Sequence, residues 1–246
     1  MLNKESAIIR FFSTPARHLI AYSSLEADLD LTEIGGRLAL FYVPFLFSLC
    51  FHEYAHGLVA KWRGDNTAEQ MGRLTLNPTA HADMVGTVIL PISAIVFSIP
   101  FFFGWAKPVP VNSRNLKNVR SDMFWIALAG PLSNFLLAFV GTGFMFFSIK
   151  FGWLGSFESS TMKLLQMFIL TNLFLAIFNI LPLHPLDGGK VLARFLPPSI
   201  NYKLEQNEHI TSWVLLFLVL SGVLTVLRIP VVYIFEWLMK IASMGA

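Results

Sequence analysis

The sequence predicts an all-α polytopic membrane protein, and three observations carry that prediction. Of its 246 residues, 55% are hydrophobic and only 13% charged, against roughly 25% charged in a soluble domain. Residues 38–60, 123–149 and 162–183 are apolar stretches close to or above the length of about 20 that a spanning helix needs. The links are short; residues 150–161 leave no room for a folded insert. This composition excludes a disordered chain. The single cysteine, Cys50, excludes an internal disulfide framework and a multi-cysteine zinc site. A net charge of +3 reads as membrane topology, so no nucleic-acid partner is expected.

Along the chain, residues 1–37 read as an N-terminal interfacial segment. Ile8, Ile9, Phe11, Phe12, Leu19 and Ile20 lie beside Arg10, Arg17 and His18, with Pro15 as a break. Those bases leave no uninterrupted apolar core for a signal peptide. The first span, 38–60, follows. Residues 84–105 are apolar but contain Pro91 and Pro100. Spans 123–149 and 162–183 come next. Residues 197–246 form a C-terminal helical segment or segments, in which 212–227 and 229–239 make a hairpin or place one piece in the interface.

Charge sets the orientation. Three links are basic: Lys61, Arg63 and Arg73; Lys107, Arg114, Lys117 and Arg120; Lys190, Arg194 and Lys203. The positive-inside rule places them in the cytosol. Residues 84–105, basic on both flanks, should then enter and leave on one side as a re-entrant hairpin, which is tolerated where protein or a water cavity covers its broken backbone. The alternative is a plain span. Lys4, Arg10, Arg17 and Arg37 in the outward tail run against the rule.

The first span contains His52-Glu53-Tyr54-Ala55-His56, an H-E-x-x-H. On a helix, His52 and His56 share a face. Two imidazoles so placed can bind one Zn²⁺, with Glu53 as general base on a water at the metal. An isolated charge at the bilayer centre costs about 2.5–3.5 kcal/mol, so three ionisable groups within five residues call for a partner. A catalytic zinc needs a third protein ligand and an open position. His81, Asp83, Asp122, His184, Asp187, Glu205, His209 and Glu236 are candidates. Asp187 has the best context, because Pro182, Pro185, Gly188 and Gly189 break the helix around it. Its alternative is a helix N-cap or Asx-turn.

Together these motifs resemble the site-2 protease family of intramembrane zinc metalloproteases, which pairs H-E-x-x-H with a later N-x-x-P-x-x-P-x-D-G. Here that second motif runs from Asn179 to Gly188. Gly130-Pro131-Leu132-Ser133-Asn134 matches the family's G-P-x-x-N span. The segment from Gly72 to Asp83 resembles its G-x-L-x-x-N-P-x-x-H-x-D element, and Gly104 to Asn112 is also similar to the small bacterial members. The resemblance covers about 38–196 and implies an intramembrane metalloprotease core of three spans with a small re-entrant β-element. It implies one Zn²⁺ per chain on His52, His56 and Asp187, with Glu53 catalytic. Asn134 and Asn179 would bind substrate or the oxyanion, or else bond helix to helix. Asn77, His81 and Asp83 would shape or gate the pocket. Arg73–Asn77 would offer a strand edge to an unwound substrate, or is a plain cytosolic loop.

The implied activity is zinc-dependent endopeptidase cleavage of single-span membrane proteins in or near their spans. The chain would be a minimal member without PDZ or CBS domains, regulated through its spans or a membrane partner. It would sit in a bacterial inner membrane with the site toward the cytosol. A small transporter, which also uses broken helices and intramembrane charges, and a non-catalytic helix-binding relative are the rival readings.

Overall fold

The computed structural model describes residues 31–97, 99, 104–154 and 159–245. The interfacial helix expected before residue 30 and the Phe101–Phe103 stretch lie outside them. Among the described residues all regular structure is helical.

The first helix, α1 (Leu31–Trp62), begins seven residues before the expected span and runs without interruption. A π turn at Leu38–Tyr42 precedes Pro44; the wider turn accommodates a residue that cannot donate its backbone N–H. After α1, two short helical turns (Thr67–Gln70 and Pro78–His81) lead to α2 (Met84–Val96). Asp83 caps α2, its Oδ1 accepting from the N–H groups of Val85 and Gly86. Thirteen residues of helix reach about 20 Å, short of a hydrocarbon core of about 30 Å. The chain then returns. Trp105 N–H donates to Gly86 O at 3.1 Å and Lys107 N–H to His81 O at 2.9 Å. Gly86 permits this closure, since a Cβ there would fall 2.3 Å from the Trp105 ring. The two described ends of 84–105 thus lie side by side.

The second spanning helix, α3 (Val119–Phe151), is capped by Asn118 Oδ1 on Ser121 N–H and stopped by left-handed Gly152. The third, α4 (Ser160–Asn179), is capped by Ser159 Oγ on Met162 N–H. Among the described residues, helices α1, α3 and α4 are each long and apolar enough to cross a membrane, with the bent pair Glu208–Leu220 and Val223–Ser243 as a fourth candidate if it forms one span; α1, α3 and α4 pack on one another. After α4 come α5 (Asp187–Ala193), α6 (Pro198–Gln206), α7 (Glu208–Leu220) and α8 (Arg228–Ser243). A bend of 74° with Gly222 left-handed at its apex separates α7 from the Val223–Ser243 segment, so this region is neither a straight span nor a tight hairpin. Val231, Phe235, Leu238 and Ala242 of α8, at helical spacing, bury against Ala138 and Met145 of α3 and Met162, Ile169 and Leu173 of α4.

One expectation fails. No β-element forms among the described residues. Arg73–Asn77 is irregular chain, because nothing runs alongside it in register: Arg73 Nη2 donates to Lys107 O and Pro108 O, and Thr75 O accepts from His81 Nε2.

Candidate metal centre

His52, Glu53 and His56 sit on the buried face of α1. His52 and His56 rings lie 4.6 Å apart, nearly perpendicular. Each ring is turned by an acceptor behind it. His52 Nδ1 donates to Asn134 Oδ1 at 2.6 Å, and His56 Nδ1 donates to the Ile126 carbonyl at 2.6 Å. With Nδ1 protonated, both Nε2 lone pairs point away from these partners and toward Asp187 Oδ2, at 3.0 and 3.2 Å. Such outer partners fix the tautomer that a metal-binding histidine needs.

Asp187 reaches the histidines because the chain breaks after α4. Helix α4 ends at Asn179, residues 181–186 fold through tight turns, and Asp187 opens α5. A Cβ on Gly188 would lie 2.2 Å from the carbonyls of Ile180 and Leu181, so the first turn of α5 can rest directly on that loop. The cap position belongs to Leu186, which leaves the Asp187 carboxylate to the histidines and removes the Asx-turn alternative.

A third helix supplies the floor. A Cβ on Gly130 of α3 would stand 2.5 Å from both Nε2 atoms. Pro131 beside it lacks an N–H, so the helical ladder is open there. Three oxygen and nitrogen donors within 4.8 Å of one another, on buried residues over a glycine floor, fit a small cation that accepts nitrogen and oxygen ligands. His52, His56 and Asp187 are the group among the described residues that meets this geometry.

Glu53 lies one residue along, buried, and its Oε2 accepts the Val109 N–H at 2.8 Å. Val109 belongs to the strap 104–112. Arg73 holds the strap through the carbonyls of Lys107 (2.8 Å) and Pro108 (3.2 Å). Asp65 holds its far end, accepting from Asn112 N–H and Asn115 Nδ2 at 2.7 and 2.8 Å. Burial alone would raise the Asp65 carboxyl, but hydrogen bonds from Thr67, Asn115 and Asn112 outweigh it and hold the group below the usual carboxylate range.

The other expected site residues stand elsewhere or are engaged. Asn134 is fully buried and spends its Nδ2 on Ser48 O (3.2 Å) and Asn172 Oδ1 (2.8 Å), so it orients His52 and bonds helix to helix, with no donor left for an oxyanion. Asn179 Nδ2 is turned back on Leu175 O. Asn77 is an exposed cap of the Pro78–His81 turn, and Asp83 caps α2. His81 is buried with Nε2 donating to Thr75 O at 2.7 Å, which braces the 73–77 loop. Asp122 caps α3 through Asn118 N–H.

Sequence reasoning missed Asn172, Val109, Ile126 and the floor role of Gly130. A lone Asn in an apolar span was a readable signal for Asn172; the backbone groups of Ile126 and Val109 carry none.

Two imidazoles, a carboxylate and a neighbouring glutamate, buried where three membrane-length helices meet, define a metal-dependent hydrolase built into a helical membrane bundle. The chain belongs to peptidase family M50, whose model matches residues 40–163 and 155–224. It is 38% identical over 168 residues to "Putative zinc metalloprotease YwhC" of Bacillus subtilis, covering 68% of this chain and 73% of that one. It is 29% identical over 239 residues to "Putative zinc metalloprotease Rip2" of Mycobacterium tuberculosis strain H37Rv, covering 88% and 86%. No solved structure matches the chain.

Proposed function

We propose that this protein is an intramembrane zinc endopeptidase that cuts single-span membrane proteins in or near their spans, in a bacterial inner membrane with the site open to the cytosolic side. The convergence of His52 Nε2, His56 Nε2 and Asp187 Oδ2 carries this reading. The names of the two relatives support zinc as the metal. Zinc held there would supply a Lewis acid that acidifies water and polarises a carbonyl.

The chain's own residues do the rest. Asn134 and Ile126 hold the two histidines in one tautomer. Val109 N–H fixes one oxygen of Glu53, leaving Oε1 to take a proton from the attacking water and return it to the leaving amine. The burial of the three ligands excludes bulk water. A substrate helix must unwind before it can be cut, and its freed backbone groups then need partners. The N–H groups of Leu74, Thr75 and Leu76 make no hydrogen bond among the described residues, which supports this irregular segment as the surface that accepts an unwound substrate. The strand would then form with the substrate instead of before it.

The test is cleavage of a panel of tagged single-span helices by purified protein in lipid nanodiscs. Glu53→Gln should lower turnover by about 10²–10⁴ while zinc per chain stays at the wild-type level. Normal turnover by that variant would sink the mechanism. Wild-type protein that cuts soluble peptides but no membrane helix would overturn the substrate class alone.

A further inference from the structure

A cavity of about 420 Å³ opens where the start of α3 meets α5 and α6. Arg120, Lys190 and Arg194 line it, with Glu205 as the one carboxylate at its wall. Lys190 of α5 and Arg194, the residue that ends it, stand four residues apart with helical backbone between them, where like charges repel. Neither is in an ion pair among the described residues. Glu205 is already engaged, accepting from Asn201 Nδ2 at 2.9 Å. Arg120 braces the rim, its Nε and Nη2 donating to the carbonyls of Arg194 (2.9 Å) and Leu196 (2.7 Å).

Two further lining residues carry a buried polar atom without a partner. His184, buried at 6% exposure, has no acceptor for Nε2, and Asn201 Oδ1 is buried and unpaired. Unsatisfied buried polar atoms are costly, so a ligand that pairs with them beside the unpaired cations would bind favourably. A ligand with anionic oxygens would accept from His184 and offset the cations. One that also carries a hydroxyl would donate to Asn201.

We propose that this cavity is a phosphate-binding site, taking either the headgroup of an anionic phospholipid or a free phosphate. Lys190 and Arg194 supply the charge, Arg120 sets the rim, and His184 supplies a buried donor. The site stands independently of the peptidase reading.

Native mass spectrometry and thermal unfolding of the full chain in phosphatidylcholine nanodiscs test it, with phosphatidylglycerol or inorganic phosphate added in turn. Surface cations contribute to phospholipid binding additively, so Lys190→Gln/Arg194→Gln should weaken binding about 30-fold. His184→Ala should weaken it without changing the basic charge count. The exposed single variant Lys190→Gln serves where the double variant does not fold, and zinc per chain reports folding in each. Retained phosphatidylglycerol that phosphate does not displace identifies the headgroup as the ligand. Stabilisation by phosphate in phosphatidylcholine alone identifies the free anion. No binding of either probe, or equal binding by wild type and the charge variants, overturns the site.

Discussion

Gly130 makes the metal centre geometrically possible. Alanine is the better helix former by about 1 kcal/mol, so Gly130→Ala should help α3 if the helix were all that mattered. Its Cβ would fall 2.5 Å from both histidine Nε2 atoms. We expect zinc per chain to drop well below one in Gly130→Ala, measured by elemental analysis of protein that still elutes as a folded species. Full zinc loading would mean that the floor yields. At the same scale Asn134 illustrates a polar group whose value is in holding another. Its Oδ1, with the Ile126 carbonyl, chooses the tautomer of the pair.

At the scale of the element, the strap 104–112 matters most. Prolines at 108 and 110 remove two donors, and the N–H of Val109 between them goes to Glu53. Val109→Pro removes that N–H; Val109→Ala keeps it. A hydrogen bond to a charged group is worth about 1.5–3 kcal/mol. Turnover by the proline variant should therefore fall roughly 10–100-fold with KM little changed, and the alanine variant should stay near wild type. Equal loss in both would make Val109 a packing residue only.

The strap's far end is tied to Asp65, and that tie has a pH sign. The carboxyl is held low in the folded protein, so its stabilisation is complete above its ordinary value of 3.8 and is lost as pH falls through the lower folded value. Asp65→Asn should cost about 1–3 kcal/mol at neutral pH. The gap to wild type should close in acid, as followed by thermal unfolding. A gap that widens in acid would reverse the assignment.

For the whole molecule, the proposed topology puts the end of the bundle that carries the basic links in the cytosol. Cys50 is buried, so cysteines introduced at Lys117, Lys203 and Trp153 can report sidedness. Maleimide added from the cytosolic side should label the first two and spare Trp153→Cys. The opposite pattern would invert the topology and move the metal centre toward the other face.

Much of this was legible in the sequence, for reasons that are local. Apolar length alone marks α1, α3 and α4, because lipid demands that each span satisfy its own backbone. The spacing of His52 and His56 fixes a shared face, since helix geometry is set by the backbone. The two prolines and two glycines around Asp187 forecast a broken helix. Paired basic flanks with Pro91 and Pro100 suggested that the two ends of 84–105 lie on one side, and the bond from Trp105 N–H to Gly86 O brings those ends together.

What the sequence could not decide were the contacts made between elements. The Asx-turn and metal-ligand readings of Asp187 differ only in where α5 lies against α1, a distance of 135 residues in sequence. The carbonyl of Ile126 and the N–H of Val109 belong to every residue type but proline, so no pattern marks them. Asn134 and Asn179 look alike in sequence, yet one turns a histidine and the other bonds its own helix. The resemblance implied a strand edge at Arg73–Asn77, but a strand exists only where a partner runs beside it. The sequence by itself determined which helices are long and apolar enough to cross and which residues can ligate. Tertiary packing decided which of them meet, because side-chain chemistry is written locally and proximity is not.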